Sequence, residues 1–186
     1  MIGFALCGSF CTIQNALHEM ERLAARYPVQ GIVSEAVYTT DTRFSPASKI
    51  RERIESITER PLIHDIVGAE PLGPKTPLEA LVICPCTGNT LAKMACGITD
   101  SSVTMAAKAH LRSNRPLVIA LASNDALSAN LKNIGTLLAR KHVYFVPMKQ
   151  DDPEKKPHSL VADFTLLPAT LEAALREKQY QRLFQI

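Results

Sequence analysis

Residues 78–90 read LEALVICPCTGNT, an apolar run that ends in two cysteines, a proline and a cluster of small polar residues. The core of the run, residues 80–85, has the length of a buried strand. Pro85 fixes the exit from that strand, Gly88 permits an unusual backbone angle, and Asn89 and Thr90 offer an amide and a hydroxyl where a helix would begin. Cys84 and Cys86 raise a second reading, a metal or redox site. No second Cys/His cluster completes a tetrahedral set, and the spacing is not the C-x-x-C of a dithiol couple. The stretch therefore reads as a strand-to-helix turn able to face an oxyanion. The plain alternative is a helix cap by Thr87 or Asn89, worth about 1 kcal/mol.

Working outward, short apolar runs alternate with helical patterns. Strands are expected at 2–7, 31–37, 80–85, 116–122 and 143–148, and helices at 46–60, near 89–96, and at 101–112, 126–141 and 169–184. A further helix follows the first strand, with Leu17, Met20, Leu23 and Ala24 on one face. Residues 149–159, charged and holding two prolines, read as an exposed loop, either an inert one or a mobile lid or partner-binding loop. Strands separated by helix-length segments imply an α/β class: a single-domain, three-layer, Rossmann-like fold over 1–186 with a mostly parallel sheet.

Composition restricts the function. With 186 residues and 46% apolar side chains the chain can bury a core of its own. A net charge of +3, without a basic stripe interleaved with aromatics, argues against nucleic acid as a partner. The apolar runs fall short of the roughly 20 residues that span a membrane. Five cysteines, an odd number without a secretory leader, suit a reducing cytoplasm.

In a parallel sheet, ligands bind beyond the carboxyl ends of the strands. Three such ends carry small polar residues: Gly8 and Ser9 after the first strand, Cys86 to Thr90 after the middle one, and Ser123, Asn124 and Asp125 after the next. Each alone is an ordinary turn or cap. Together they suggest one polar site for a phosphate and a heterocycle, and no G-x-G-x-x-G fingerprint accompanies them.

GSFC (8–11), PCTGNT (85–90) and the Asn124-bearing loop after PLVIALA resemble the motifs of the flavin-containing cysteine decarboxylases, across which FMN lies. Pro85, Asn89 and Thr90 match that family's second motif, while Cys86, Thr87 and Gly88 depart from it. In the third motif only Asn124 is kept. The family's active-site histidine, about fourteen residues before the motif proline, has no counterpart: the count arrives at Pro71, and the nearest upstream imidazole is His64. A wider match, including TTDTRF (39–44), SNDAL (123–127) and DDPEKKPHS (151–159), is similar to the family of dipicolinate synthase B subunits.

The resemblance implies FMN held by Gly8, Ser9, Phe10, Ser34, Cys86, Thr87, Gly88, Asn89, Thr90, Ser123 and Asn124. It implies a homo-oligomer, a partner in the A subunit of dipicolinate synthase, which would carry the NAD(P) site, and oxidation of a dihydrodipicolinate-type precursor during sporulation. Substrate carboxylates call for a cation, and Arg43, in the TDTRF turn at the end of the second strand, is the first candidate, ahead of Lys155 and Lys156. No catalytic base is identified. Two other functions stay open: an FMN-dependent decarboxylase or prenyltransferase of the same fold, and a non-catalytic protein that binds FMN or serves as a scaffold.

Overall fold

A computed structural model describes residues 1–185. In chain order it contains β1 (Ile2–Leu6), α1 (Ile13–Ala24), β2 (Val29–Val33), α2 (Glu35–Thr39), α3 (Ala47–Thr58) and α4 (Ile66–Ala69). Next come β3 (Ala80–Cys86), α5 (Gly88–Ala95), α6 (Ser102–Leu111), β4 (Leu117–Ser123) and α7 (Leu131–Leu138). The chain closes with β5 (Val143–Phe145), β6 (Met148–Lys149), β7 (Leu160–Ala162) and α8 (Leu167–Ala174). Short 3-10 turns, Phe10–Thr12 and Phe164–Leu166, lead into α1 and α8.

Every residue of β1, β3 and β4 is buried, as strands covered on both faces must be. Their side chains read as unbroken apolar runs for that reason, and each large one adds about 1.5–3 kcal/mol when fully buried. Helix α1 buries Ile13, Ala16, Leu17, Met20 and Leu23, spaced three or four apart on one face. It packs with α3 and α8 in one layer, while α4, α5, α6 and α7 pack together in the other. The expected three-layer α/β fold is therefore present.

Strands β2, β1, β3, β4 and β5 lie side by side in that order, all parallel. The chain builds outward from β1 to β2, then reverses through β3 to β5. That reversal opens a crevice between the carboxyl ends of β1 and β3. Past Ile119 the partner of β4 changes: Ala122 and Ser123 pair with antiparallel β7, which in turn pairs with β6.

Several sequence expectations need correction. The second strand is Val29–Val33 and not 31–37, because the five residues of β1 pair with those five and Ser34 then turns the chain into α2. The helix expected at 126–141 is only Leu131–Leu138; residues 124–130 are turns gathered around the Asp125 side chain. The strand expected at 143–148 is split into β5 and β6 around Pro147, which has no N–H to give a ladder. The loop at 149–159 begins in β6 and leads to β7, a strand the sequence pattern did not suggest. Finally, the helix expected at 169–184 is Leu167–Ala174. Glu177 takes a left-handed φ of 58°, and the Gln179 amide then bonds both backbone groups of Phe145, at 2.9 and 2.7 Å, as a strand neighbour would.

Candidate functional site

The carboxyl ends of β1 and β3 are tied directly to each other. Cys7 N–H donates to the Pro85 carbonyl (3.0 Å), and the Thr90 hydroxyl donates to Cys7 Sγ (3.2 Å). Pro85 is accommodated inside a central strand because β3 carries one extra residue there: Ile83 pairs with Ile119, but Cys86 with Leu121. After Gly8 the chain enters the 3-10 turn, whose first N–H groups, on Phe10 and Cys11, have no acceptor within it. The Thr12 hydroxyl donates to the Ser9 carbonyl (2.9 Å) and to Ser9 Oγ (3.1 Å), orienting the serine. Across the crevice, Thr87 Oγ1 accepts from Thr90 N–H (3.3 Å) and caps α5.

Ser34 joins this edge from the third side. Its N–H donates to the Leu6 carbonyl (3.0 Å), while its Oγ is buried without a hydrogen-bond partner and does not cap α2. Beside it lies a cavity of about 500 Å³ lined by Glu35, Tyr38, His64, Asp65, Ser101 and Ser102 among others. His64 is stacked on Tyr38, ring centroids 3.8 Å apart and 15° from parallel, and the Arg51 guanidinium lies over the same tyrosine ring at 4.7 Å. The imidazole that the sequence left without a role is thus held at the wall of this cavity.

The loop after β4 is organised by a carboxylate. Asp125 accepts from the Ser123 hydroxyl, and its two oxygens both accept from Asn130 Nδ2 (3.0 and 2.9 Å); the Asn130 carbonyl oxygen in turn accepts from Asn133 (2.9 Å). The Ser123 hydrogen bond, ahead of that from Asn130, holds the Asp125 carboxyl below its ordinary range. Gly88 packs directly on this cluster. A Cβ there would stand 2.5 Å from Ser123 Oγ, 2.6 Å from Asn130 Nδ2 and 2.8 Å from Asp125 Oδ1. The expectation that Gly88 supplies an unusual backbone angle is corrected: it starts helix α5, Gly97 being the glycine with positive φ, and serves close approach instead.

The structure gathers Gly8, Ser9, Phe10, Ser34, Cys86, Thr87, Gly88, Thr90 and Ser123 along one edge of the sheet, with Asn89 and Asn124 exposed beside them. Arg43 is not among them. Helix α2 separates it from β2, contrary to the placement at the end of strand two, and its guanidinium lies over the exposed Phe44 ring at 4.9 Å. Sequence reasoning missed Asn130 and the Tyr38–His64 pair, and it named Asp125 only as a junction residue. Cys84 and Cys86 are wholly buried, and burial first of all pushes both thiols well above their ordinary range; Cys7 is pushed to about 11. Thiols kept protonated in this way are poor nucleophiles and poor ligands.

Comparison with known proteins places this geometry in a family. Residues 1–165 match the Flavoprotein family profile. The dipicolinate synthase B subunit of Bacillus subtilis (strain 168) is 46% identical over 181 residues, covering 97% of this chain and 90% of that one. The crystal structure of the dipicolinate synthase B subunit from Bacillus halodurans C superposes with a TM-score of 0.91 at 48% identity, over 100% of this chain and 95% of that one. The FMN-dependent cysteine decarboxylase SpaF shares the fold, with a TM-score of 0.71 at 22% identity over 94% of each chain. The chain belongs to the Flavoprotein family, and within it to the group of dipicolinate synthase B subunits.

Proposed function

We propose that this chain is the flavin-carrying component of a dipicolinate synthase, contributing to oxidation of a dihydrodipicolinate-type precursor in the sporulating cytoplasm. One observation carries the flavin part. Three strand ends converge at the β1/β3 crevice, where Ser34 Oγ is buried with no protein partner and the Phe10 and Cys11 N–H groups open a helical turn. Such donors suit a phosphate, since helix starts concentrate free N–H groups and positive potential.

In this reading Ser9, oriented by Thr12, and Ser34 hold the phosphate, and Thr87, Asn89, Ser123 and Asn124 line the edge of the heterocycle. FMN, when bound, supplies an acceptor for a hydride. The residues around it bind, orient and shield. Carboxylates of the substrate need a forked cation, and Arg43 is proposed for one of them. Because Arg43 and the other site residues lie apart in one protomer, we propose that the site is completed in a homo-oligomer. The chain has no dinucleotide fingerprint, so electrons pass to NAD(P) through the synthase's A subunit.

FMN titration of the wild type and Ser9→Ala tests the flavin part: a tighter constant for the wild type is expected, and equal, negligible binding by both refutes it. Light scattering at micromolar concentration tests assembly, a single protomer of 20.4 kDa being the refuting result. For the reaction, the two purified proteins are mixed with the precursor and NADP, and the pyridine product is followed in the ultraviolet. A partner that reaches the full rate alone transfers the assignment to a scaffold. The decarboxylase alternative is disfavoured by the absence of an imidazole at the family position.

A further inference from the structure

At the opposite end of the sheet from the strand-end crevice, α5, α6 and α7 enclose a second cavity of about 230 Å³. Met94, Leu111 and Leu137 give it an apolar interior, and Ile98, Lys108 and Arg140, all exposed, stand at its rim. Among the described residues neither cation pairs with a carboxylate. Each stands at the end of a helix, α6 or α7, that presents about half a negative charge. Two full positive charges exceed that and leave a net attraction for an anion. The volume is about eight waters' worth, below the roughly 300–1,000 Å³ of drug-sized sites, so the fit is to a small molecule.

We propose that this cavity binds a small carboxylate with an apolar body, the hydrocarbon part inside and the charged group between Lys108 and Arg140. An apolar interior alone would accept any hydrocarbon; the paired cations select the acid. Bound there, the ligand touches the far ends of α5 and α7 and the length of α6 from Thr104 to Leu111, helices whose starts carry Thr87–Thr90, Asn130 and Ser101–Ser102 respectively. The site is separate from the proposed flavin edge and does not depend on that assignment.

Octanoate and its neutral counterpart octanol are suitable probes, titrated at pH 7.5 into protein with ¹³C-labelled methionine methyl groups. Met94, nine-tenths buried in the cavity wall, is the reporter, assigned by Met94→Leu. Octanoate is expected to shift the Met94 resonance saturably and octanol to bind about tenfold more weakly, equivalent to about 1.4 kcal/mol. The double change Lys108→Gln/Arg140→Gln, at exposed positions, should bring octanoate down to the octanol level with the fold retained. Ala107→Leu should close the cavity to both, with the other methionine resonances reporting that the protein is folded. Equal binding of the two probes, or octanoate binding undiminished by the double change, overturns the proposal. So does a Met94 resonance that ignores octanoate and moves with protein concentration, which assigns the cavity to contact with a second copy.

Discussion

The loops after β3 and β4 meet face to face, yet they are held by different means. The β3 loop is held at several points: Thr87 caps a helix that begins one residue later through contacts that span three positions, and Pro85 and Thr90 each bond Cys7 at the end of β1. The β4 loop is held by one carboxylate that reaches back to Ser123 and forward to Asn130. The two loops touch at Gly88, which lies where a methyl group would collide with all three members of the Asp125 cluster. A loop whose contacts are spread over several partners tolerates the loss of one, and a loop built around one shared hub does not. The contrast gives three tests of decreasing size.

Gly88→Ala attacks the shared surface and is expected to have the largest effect. A new Cβ within 2.8 Å of three polar atoms forces one loop away from the other. Overpacking of this kind costs about 1–3 kcal/mol, which for a chain of this length lowers Tm by about 2–4 °C per kcal/mol. Thermal unfolding measures it. If the clash is the cause, Gly88→Ala costs less in a Ser123→Ala background than in the wild type, since the removed hydroxyl makes room. Strict additivity of the two changes contradicts the contact.

The second test compares the two ways of holding a loop. Asp125→Ala strands the Asn130 amide, 5% exposed, without its acceptor and should cost about 1–3 kcal/mol. Thr87→Ala removes a cap and should cost about 1 kcal/mol. Denaturant midpoints at pH 7 rank the two, and a larger loss for Thr87→Ala reverses the argument. The Asp125 contribution also has a pH signature. Its folded carboxyl titrates below the ordinary value of 3.8, so the unfolded chain binds more protons in that window. Its share of stability is present above pH 3.8 and is lost as pH falls through the folded value.

What was legible in the sequence follows the same division. Strands β1, β3 and β4 are buried on both faces and announce themselves as apolar runs, and the Thr87 cap sits within three residues of its partner. The parallel sheet and most of the polar residues along its strand ends could therefore be read. Features that depend on distant partners could not. The sequence placed Gly88 in the site for the wrong reason, because the atoms that require a glycine come from residues 123–130. β7 is three residues whose partners are β4 and β6, too short to show a period of two. The Tyr38–His64 stack joins residues 26 positions apart on separate elements, and no local pattern marks it. The end of α8 depends on Gln179 finding the Phe145 backbone, again a contact made only in the fold.

The smallest effect is expected away from both loops, and it sharpens the acid test by giving a second window. His110, at the end of α6, is fully buried. Its Nε2–H donates to the Pro116 carbonyl (2.9 Å), and its Nδ1 has no partner. Burial, ahead of the nearby Arg115 charge, holds its pKa below the ordinary 6.5, although the Pro116 bond opposes this. A proton arriving at Nδ1 would bring a buried charge with nothing to accept its hydrogen bond. Between the folded value and 6.5 the unfolded state binds more protons, so stability rises with pH there. The contribution is complete above about pH 6.5 and is lost as pH falls toward the folded value, so its window opens at a higher pH than that of Asp125. Denaturant unfolding from pH 7.5 to 5 should show this slope in the wild type, and His110→Leu should flatten it while lowering stability at pH 7.5 through the lost Pro116 bond. An identical slope in the variant assigns the early acid loss to other groups and leaves the Asp125 loop as the acid-sensitive side of the contrast.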